Sequence, residues 1–464
     1  MYKLHINNLK PNSHIHMIGI GGSNMSALSR VLMDLKFKVS GSDTNVCIFT
    51  KKLIEDGVKI SSYHSAENIE KPDLICYSAA ISQNNPELIE ARRLNIPIFE
   101  RSELLGEIIK MYKFPIAVSG THGKTTTTSM LANIMICSSL DPTVMVGGYL
   151  SEIDGNLRLG SKEFLIFEAC EYVESFLKFN SYSTIITNVE EDHLDYYSDI
   201  NHIISSFKKF INLNSKNGVV VACGDDENVL KILQYSDKKI LKFGIKNENC
   251  DFLAKKIIYK KEKGLSFSIF KDKNKLLDLE VGFYGMHNIY NSLAAATMAY
   301  SLGIDERFIK ISLEKFEGVE RRFQKIAEIN GILLFDDYAH HPTEVKATLE
   351  MAKNMSHNKL WCIFQPHMYS RTKMFFNWFA STLSIADIVI ITDIYAAREK
   401  ENLYEIHSKD LVSKIKNSLY MRDFEEISEY VLSNANANDI VITMGAGNVN
   451  EICKIILEKT KIKD

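Results

Sequence analysis

The chain is marked first by what it lacks. Its 55 Lys and Arg nearly balance 58 Asp and Glu, and a net charge of −3 gives no basic or acidic surplus for nucleic acid or an anionic membrane. No apolar run approaches the roughly 20 residues a membrane helix needs. The segment Met1 to Pro11 is too polar for a signal peptide. Eight cysteines are scattered singly with no C-x-x-C pair, which argues against a structural zinc site and a disulfide framework. Neither an internal repeat nor a low-complexity segment is present. What remains is the composition of a soluble globular protein, long enough at 464 residues for two to four domains. A reducing cytoplasm is the expected compartment.

The most informative stretch is Val118-Ser119-Gly120-Thr121-His122-Gly123-Lys124-Thr125-Thr126. A short β-like segment, Phe114 to Val118, precedes it, and a helix-like segment, Ser129 to Cys137, follows. Strand, glycine turn, lysine, threonine and helix form a phosphate cradle, because backbone N–H groups at a helix N-terminus point at the anion. Lys124 can reach the outer phosphates and the Thr125 hydroxyl a phosphate-bound Mg²⁺. The competing reading is a glycine turn with a solvated lysine, which the strand and helix flanks disfavour. The ordinary phosphate loop has a further glycine where Val118 stands, so this loop is tighter. That argues against a switch or motor.

Apolar strands alternate with helical patterns throughout, so the expected class is α/β with parallel sheets and ligands at strand C-termini. Three units are expected: a Rossmann-like one over 1–112, a central P-loop ATPase-like one with a mostly parallel sheet over 113–318, and a second Rossmann-like one over 319–464. In the first, a strand His16–Ile20 runs into Gly19, Gly21 and Gly22, and a second strand ends near Asp43. This loop departs from G-x-G-x-x-G at Asn24, so NAD and another diphosphate are about equally compatible with it. In the second unit, strands are expected at 164–167, 184–187 and 219–222, with two or three antiparallel strands over 251–281 and an alanine-rich helix from Gly285. In the third they are expected at 332–335, 360–364, 388–392 and 440–444. The joints are short enough to be hinges.

Glu168 follows a buried-strand pattern, where an acid can hold Mg²⁺. His193, read alone, is a hydrogen-bonded histidine, since imidazole is not the usual partner of a hard cation. Glu171, Glu174, Glu190, Glu191 and Asp192 stay open as alternative ligands.

Ten segments then carry a resemblance. GIGGSNMS at 19–26, SGSD at 40–43, GTHGKTTTT at 120–128, EACEY at 168–172 and TNVEEDHLDYY at 187–197 are followed by MHNIYN at 286–291 and ERRF at 320–323. DDYAHHPTE at 336–344, QPHMYSRT at 365–372 and MGAGN at 444–448 complete the series. In this order, and across all three units, they resemble the Mur ligases, ATP-dependent enzymes that join a carboxylate to an amine. The resemblance implies transfer of L-alanine to the lactyl carboxylate of UDP-N-acetylmuramate through an acyl phosphate, in peptidoglycan precursor synthesis. It implies ATP as co-substrate, two Mg²⁺ ions, small-molecule partners only, and no nucleic acid or membrane. Unit 1–112 would bind the UDP-sugar through Gly19, Gly21, Gly22 and Asp43. Unit 113–318 would bind ATP through Gly120, Thr121, His122, Gly123, Lys124, Thr125 and Thr126. Thr125, Glu168 and His193 match metal positions, and Asn288 and Asn291 match residues around adenine. Arg322 and Asp337 match third-unit residues that reach the nucleotide. His367 and Arg371 match the segment that positions alanine, whose carboxylate suits a planar guanidinium. Lys124, Glu168, His193 and Arg322 would be the catalytic set, with His193 or His340 as general base. Within the family, the murein-peptide ligase, which attaches a recycled tripeptide to the same UDP-sugar, is the alternative. Outside it, an NAD-dependent dehydrogenase with an incidental phosphate loop is the remaining competitor. Two positions depart from the pattern. Asn24 replaces glycine, is expected to hold a positive φ, and crowds the diphosphate. Met368 replaces arginine and removes a positive charge near the acceptor.

Overall fold

The computed structural model describes residues 6, 9–45, 47–150, 153, 155–194, 196–234, 236–260, 264–397, 399 and 403–461. Asp195 of the 187–197 motif and residues 261–263 between the expected antiparallel strands lie outside them. Residues 1–257, 266–280 and 289–316 form one compact unit, and 258–265, 281–288 and 317–464 a second.

Two sheets organise the first unit. The N-terminal sheet has five strands in the spatial order Lys59–Ser61, Lys38–Ser42, His14–Ile18, Leu74–Tyr77, Ile98–Glu100, all parallel. Its first strand ends two residues earlier than expected. Gly19 turns the chain at φ 79°, and the Gly19 and Ile20 N–H groups donate to the Ser42 carbonyl instead of extending the ladder. The central sheet has ten strands. Seven of them run in the order Lys239–Gly244, Val219–Cys223, Ser183–Ile186, Phe114–Ser119, Phe164–Glu168, Thr143–Leu150, Gly155–Arg158. Every neighbouring pair among these is parallel except the last. The inner strands Phe114–Ser119, Phe164–Glu168 and Val219–Cys223 form because their residues are mostly apolar without alternation, as covering on both faces requires; Val219–Cys223 is buried at every position. The 251–281 stretch forms strands Phe252–Lys260, Gly264–Lys271 and Asn274–Val281.

The helix Ile200–Asn212 shows how the layers join. Asp199 caps it, its carboxylate accepting the His202 N–H at 2.9 Å. Ile203, Ile204, Phe207, Phe210 and Ile211 recur on one face and are buried. Phe176 stacks on Phe210 at 4.5 Å between centroids and meets Phe207 edge-on at 5.0 Å. These rings belong to a core shared with Ile15, Met17 and Leu28 of the N-terminal layer.

The second unit carries a six-stranded sheet in the order Gln324–Ile329, Ile332–Asp337, Ile440–Met444, Leu360–Phe364, Ile388–Ile391, Ser418–Tyr420. Only the first pair is antiparallel. The α/β class with parallel-rich sheets is therefore as expected. Among the described residues no helix is long and apolar enough to cross a membrane.

Phe176→Ala should cost about 3–5 kcal/mol, because it removes a fully buried ring from a three-ring contact. Urea unfolding of the full chain checks this; a cost below about 1 kcal/mol would mean the core collapses around the vacancy.

Candidate active site

The phosphate loop starts where the strand Phe114–Ser119 ends. Gly120 holds φ 135° and Gly123 φ 82°, both disfavoured for residues with a Cβ. Space forbids a side chain as well. A Cβ on Gly120 would strike the Thr187 hydroxyl, and one on Gly123 the Asn291 side-chain oxygen. Gly123 caps the helix Lys124–Cys137, which therefore starts five residues before the expected Ser129. The threonine run is wound into its first turns, with Thr127 N–H donating to the Gly123 carbonyl. The segment after the neighbouring strand holds the loop from the side. Thr121 N–H donates to the Asn188 carbonyl, His122 N–H to Asn188 Oδ1 at 2.8 Å, and Thr187 Oγ1 to the His122 carbonyl at 2.6 Å. The sequence drew attention to the acids of this segment; its loop-holding groups are Thr187 and Asn188.

Lys124 folds back over its own loop. Its Nζ donates to the Gly120 carbonyl at 2.5 Å and the Thr121 carbonyl at 3.2 Å, and pairs with Glu171 at 3.0 and 3.2 Å. Burial alone would lower its pKa, but the attraction of Glu171, with Cys170 and Glu168 adding to it, pushes the ammonium above its ordinary value. Glu171 also faces His193, Oε1 to Nε2 at 3.8 Å. The structure thus brings Lys124, Glu171 and His193 together. Glu168 lies opposite Val118 in the adjacent strand, and its Oε1 accepts the Gly147 N–H at 2.7 Å.

Each residue expected to hold a cation offers a donor here. Thr125 offers a hydroxyl in the first helical turn and Glu168 a carboxylate at the same sheet edge. His193 holds φ 55°, and among the described residues its buried Nδ1 has no hydrogen-bond partner, a nitrogen that a metal or a transferable proton would satisfy. Of the two asparagines, Asn291 lies against the phosphate loop, its Oδ1 accepting from Thr127 Oγ1 at 3.2 Å. The Asn288 amide donates to the Tyr284 carbonyl at 2.8 Å.

The first glycine loop is internally braced. Asp43 accepts the Gly21 N–H at 2.8 Å and the Asn45 N–H at 2.9 Å, and Gly22 N–H reaches the Gly19 carbonyl. Asp43 therefore shapes the turn. Asn24 corrects an expectation: it is the second residue of the helix Ser23–Asp34 and is not among the positive-φ residues. The helix begins directly after Gly22, so no left-handed residue is needed there, and Asn24 is exposed. Behind it, Ser23 Oγ donates to the Gly147 carbonyl at 2.9 Å, while the buried Asn156 amide donates to the Ser23 carbonyl and, at 3.2 Å, to Ser26 Oγ.

In the second unit, Asp337 is buried. Its carboxylate accepts the Ala339 N–H at 2.7 Å, the Phe323 N–H at 2.9 Å and the Thr348 hydroxyl at 3.1 Å. Burial pushes its pKa up to about 6, against the pull of Arg322. Arg322 lies over the Tyr338 ring and 3.5 Å from Glu344, while its neighbour Arg321 binds Asp336 and the Gly445 and Gly447 carbonyls. His367 Nδ1 lies 3.2 Å from an Arg371 guanidinium nitrogen, and its ring stacks on Tyr395. Met368 holds φ 72° before the helix Tyr369–Met374 and is 5% exposed, so its side chain packs inward.

Residues 14–113 match the Mur ligase family catalytic domain, 118–299 the Mur ligase middle domain, and 321–447 the Mur ligase, glutamate ligase domain. The chain is 47% identical over 456 residues to the UDP-N-acetylmuramate–L-alanine ligase of Acetivibrio thermocellus, covering 97% of each. It is 46% identical to that of Alkaliphilus metalliredigens, over 96% of this chain and 97% of the relative. The crystal structure of UDP-N-acetylmuramate–alanine ligase from Thermotoga maritima superposes with a TM-score of 0.83 at 29% identity, covering 97% of this chain and all of that one.

Two outcomes are expected from this geometry. Asn24→Val should leave folding and sugar-nucleotide affinity within about threefold of the parent, as an exposed helical position tolerates it at a few tenths of a kcal/mol; calorimetric titration checks it, and a large loss would place the side chain at the ligand. For Asp337, the folded pKa lies above the ordinary value, so the folded state binds the extra proton between about pH 4 and 6. Its contribution is present at lower pH and is lost as pH rises through about 6. Asp337→Asn removes this slope, so from pH 4 to pH 7 the stability difference should shift in favour of the asparagine variant by roughly 2–3 kcal/mol. Urea midpoints across that range measure it; a pH-independent difference would contradict it.

Proposed function

The chain belongs to the Mur ligase family, and from this we infer that it joins L-alanine to the lactyl carboxylate of UDP-N-acetylmuramate with cleavage of ATP to ADP and phosphate. This ligation adds the first residue of the peptidoglycan stem peptide. The observation that carries it is identity of 43–47% over nearly the full length of relatives that all bear this reaction's name. They do not favour the tripeptide-attaching alternative. The substrates, ATP and a nucleotide sugar, are those of the cytoplasm.

A carboxylate is a poor acyl donor, so its oxygen first attacks the γ-phosphorus of ATP and ADP leaves. The amine of alanine then attacks the acyl phosphate carbon, the carbon–oxygen bond to phosphate breaks, and the amine loses a proton. The first step brings two anions together. Lys124 and the N–H groups at the start of the helix Lys124–Cys137 are placed to offset that repulsion. For this the Lys124 ammonium must exchange its loop carbonyls and Glu171 for phosphate oxygens. Mg²⁺, when bound, would be held by Thr125, Glu168 and His193 and would neutralise charge on the phosphates. The Gly147 N–H on Glu168 Oε1 orients that carboxylate. Gly19, Gly21, Gly22 and Asp43 form the turn assigned to the UDP diphosphate. Arg371, oriented by His367, is assigned to the carboxylate of alanine, and Arg322 and Asp337 to the nucleotide.

ADP release should require UDP-N-acetylmuramate together with an amino acid, with L-alanine fastest. Glycine and L-serine should be slower but measurable, because a pocket separates substrates differing by one small group by only about 1–3 kcal/mol. A coupled ADP assay with single amino acids varied tests this. A rate with a tripeptide equal to that with alanine would reassign the chain to the recycling reaction.

A further inference from the structure

Glu171 carries a carboxylate, which repels phosphate, yet it sits against the lysine of the phosphate loop. It is 3% exposed, and the Tyr197 hydroxyl donates to its backbone carbonyl at 2.5 Å, which fixes the segment. Both of its oxygens face Lys124, at 3.0 and 3.2 Å, and one faces His193 at 3.8 Å. Without nucleotide, this carboxylate is the counter-ion of Lys124. A polyphosphate that recruits Lys124 strips Glu171 of that partner. It leaves a buried carboxylate beside an incoming anion, which is costly unless another positive charge arrives at the same time.

We propose that Glu171 is a charge gate that makes the phosphate loop accept nucleotide complexed with a divalent cation and reject the metal-free nucleotide. A metal-free nucleoside polyphosphate must take Lys124 from Glu171 and then face the unpaired carboxylate. A cation-bound nucleotide brings the compensating charge to the edge of the sheet where Glu168 and His193 stand. Glu171 is thus a specificity-determining residue acting through Lys124. The proposal rests on the reading of residues 119–125 as the phosphate site.

Calorimetric titration of the full chain with ADP, in excess chelator and in excess Mg²⁺, tests both. The parent should bind ADP much more weakly in chelator than with Mg²⁺. Glu171→Gln should gain about tenfold or more in chelator and change by less than about threefold with Mg²⁺, while Glu171→Asp, which keeps the charge, should behave as the parent. Glu171→Ala serves in the same way should the glutamine variant not fold. A parent indifferent to Mg²⁺, a neutral variant with no gain in chelator, or an equal gain in both media overturns the gate. Lys124→Ala separates the two readings. Loss of ADP binding in both media supports the phosphate site, whereas parental binding by this variant overturns that assignment itself.

Discussion

The turn from Ser119 to Lys124 can close only without side chains at Gly120 and Gly123, and much of the first unit is arranged around that constraint. Both glycines hold positive φ, and each lies where a Cβ would meet another element: Thr187 in one case, Asn291 in the other. The close approach lets Thr187 and Asn188 bond the loop backbone from one side, while Asn291 bonds Thr127 from the other. A loop held on both sides fixes where the helix Lys124–Cys137 starts, and so where its first N–H groups point when an anion arrives. Lys124 is likewise held by carbonyls and a carboxylate, ready to exchange them.

A second consequence concerns the N-terminal sheet. Its glycine turn takes its shape from Asp43, and the helix behind it is tied to the central sheet through Ser23, Gly147 and Asn156. Gly147 is shared, because its carbonyl accepts from Ser23 and its N–H donates to Glu168. One glycine thus links the helix behind the turn assigned to the sugar nucleotide with the carboxylate assigned to the metal. In the second unit, adjacent arginines divide their work. Arg321 braces the sheet edge through Asp336 and two carbonyls, and Arg322 lies over Tyr338 near Glu344.

The alternation of apolar runs with helical patterns was enough for the α/β class, because parallel strands covered on both faces need unbroken apolar residues, as at Val219–Cys223 and Leu360–Phe364. It missed Gln324–Ile329, whose half-exposed residues look like a loop, and Ser418–Tyr420, too short to show a period. It also began the phosphate-loop helix too late, since four successive threonines favour strands and only the Gly123 cap and the packing around it wind them into a helix.

What the sequence determined by itself was local: glycines where the chain must turn tightly, a lysine and threonine at a helix start, acids at strand ends, and motifs in an order shared with one family. These are legible because each depends on covalent geometry or on near neighbours in the chain. Tertiary structure alone decided which of the acids meets Lys124. Glu168, Glu171, Glu174, Glu190, Glu191 and Asp192 are equivalent in one dimension. Yet it is Glu171 that pairs with the lysine, because the strand Phe164–Glu168 runs parallel to Phe114–Ser119 and the chain bends sharply just beyond it, with Val173 and Glu174 at positive φ. It decided equally that Asn24 is helical and that Met368 packs inward. The reason is the same in each case: a side chain's partner and burial depend on residues tens of positions away, and only folding sets those distances.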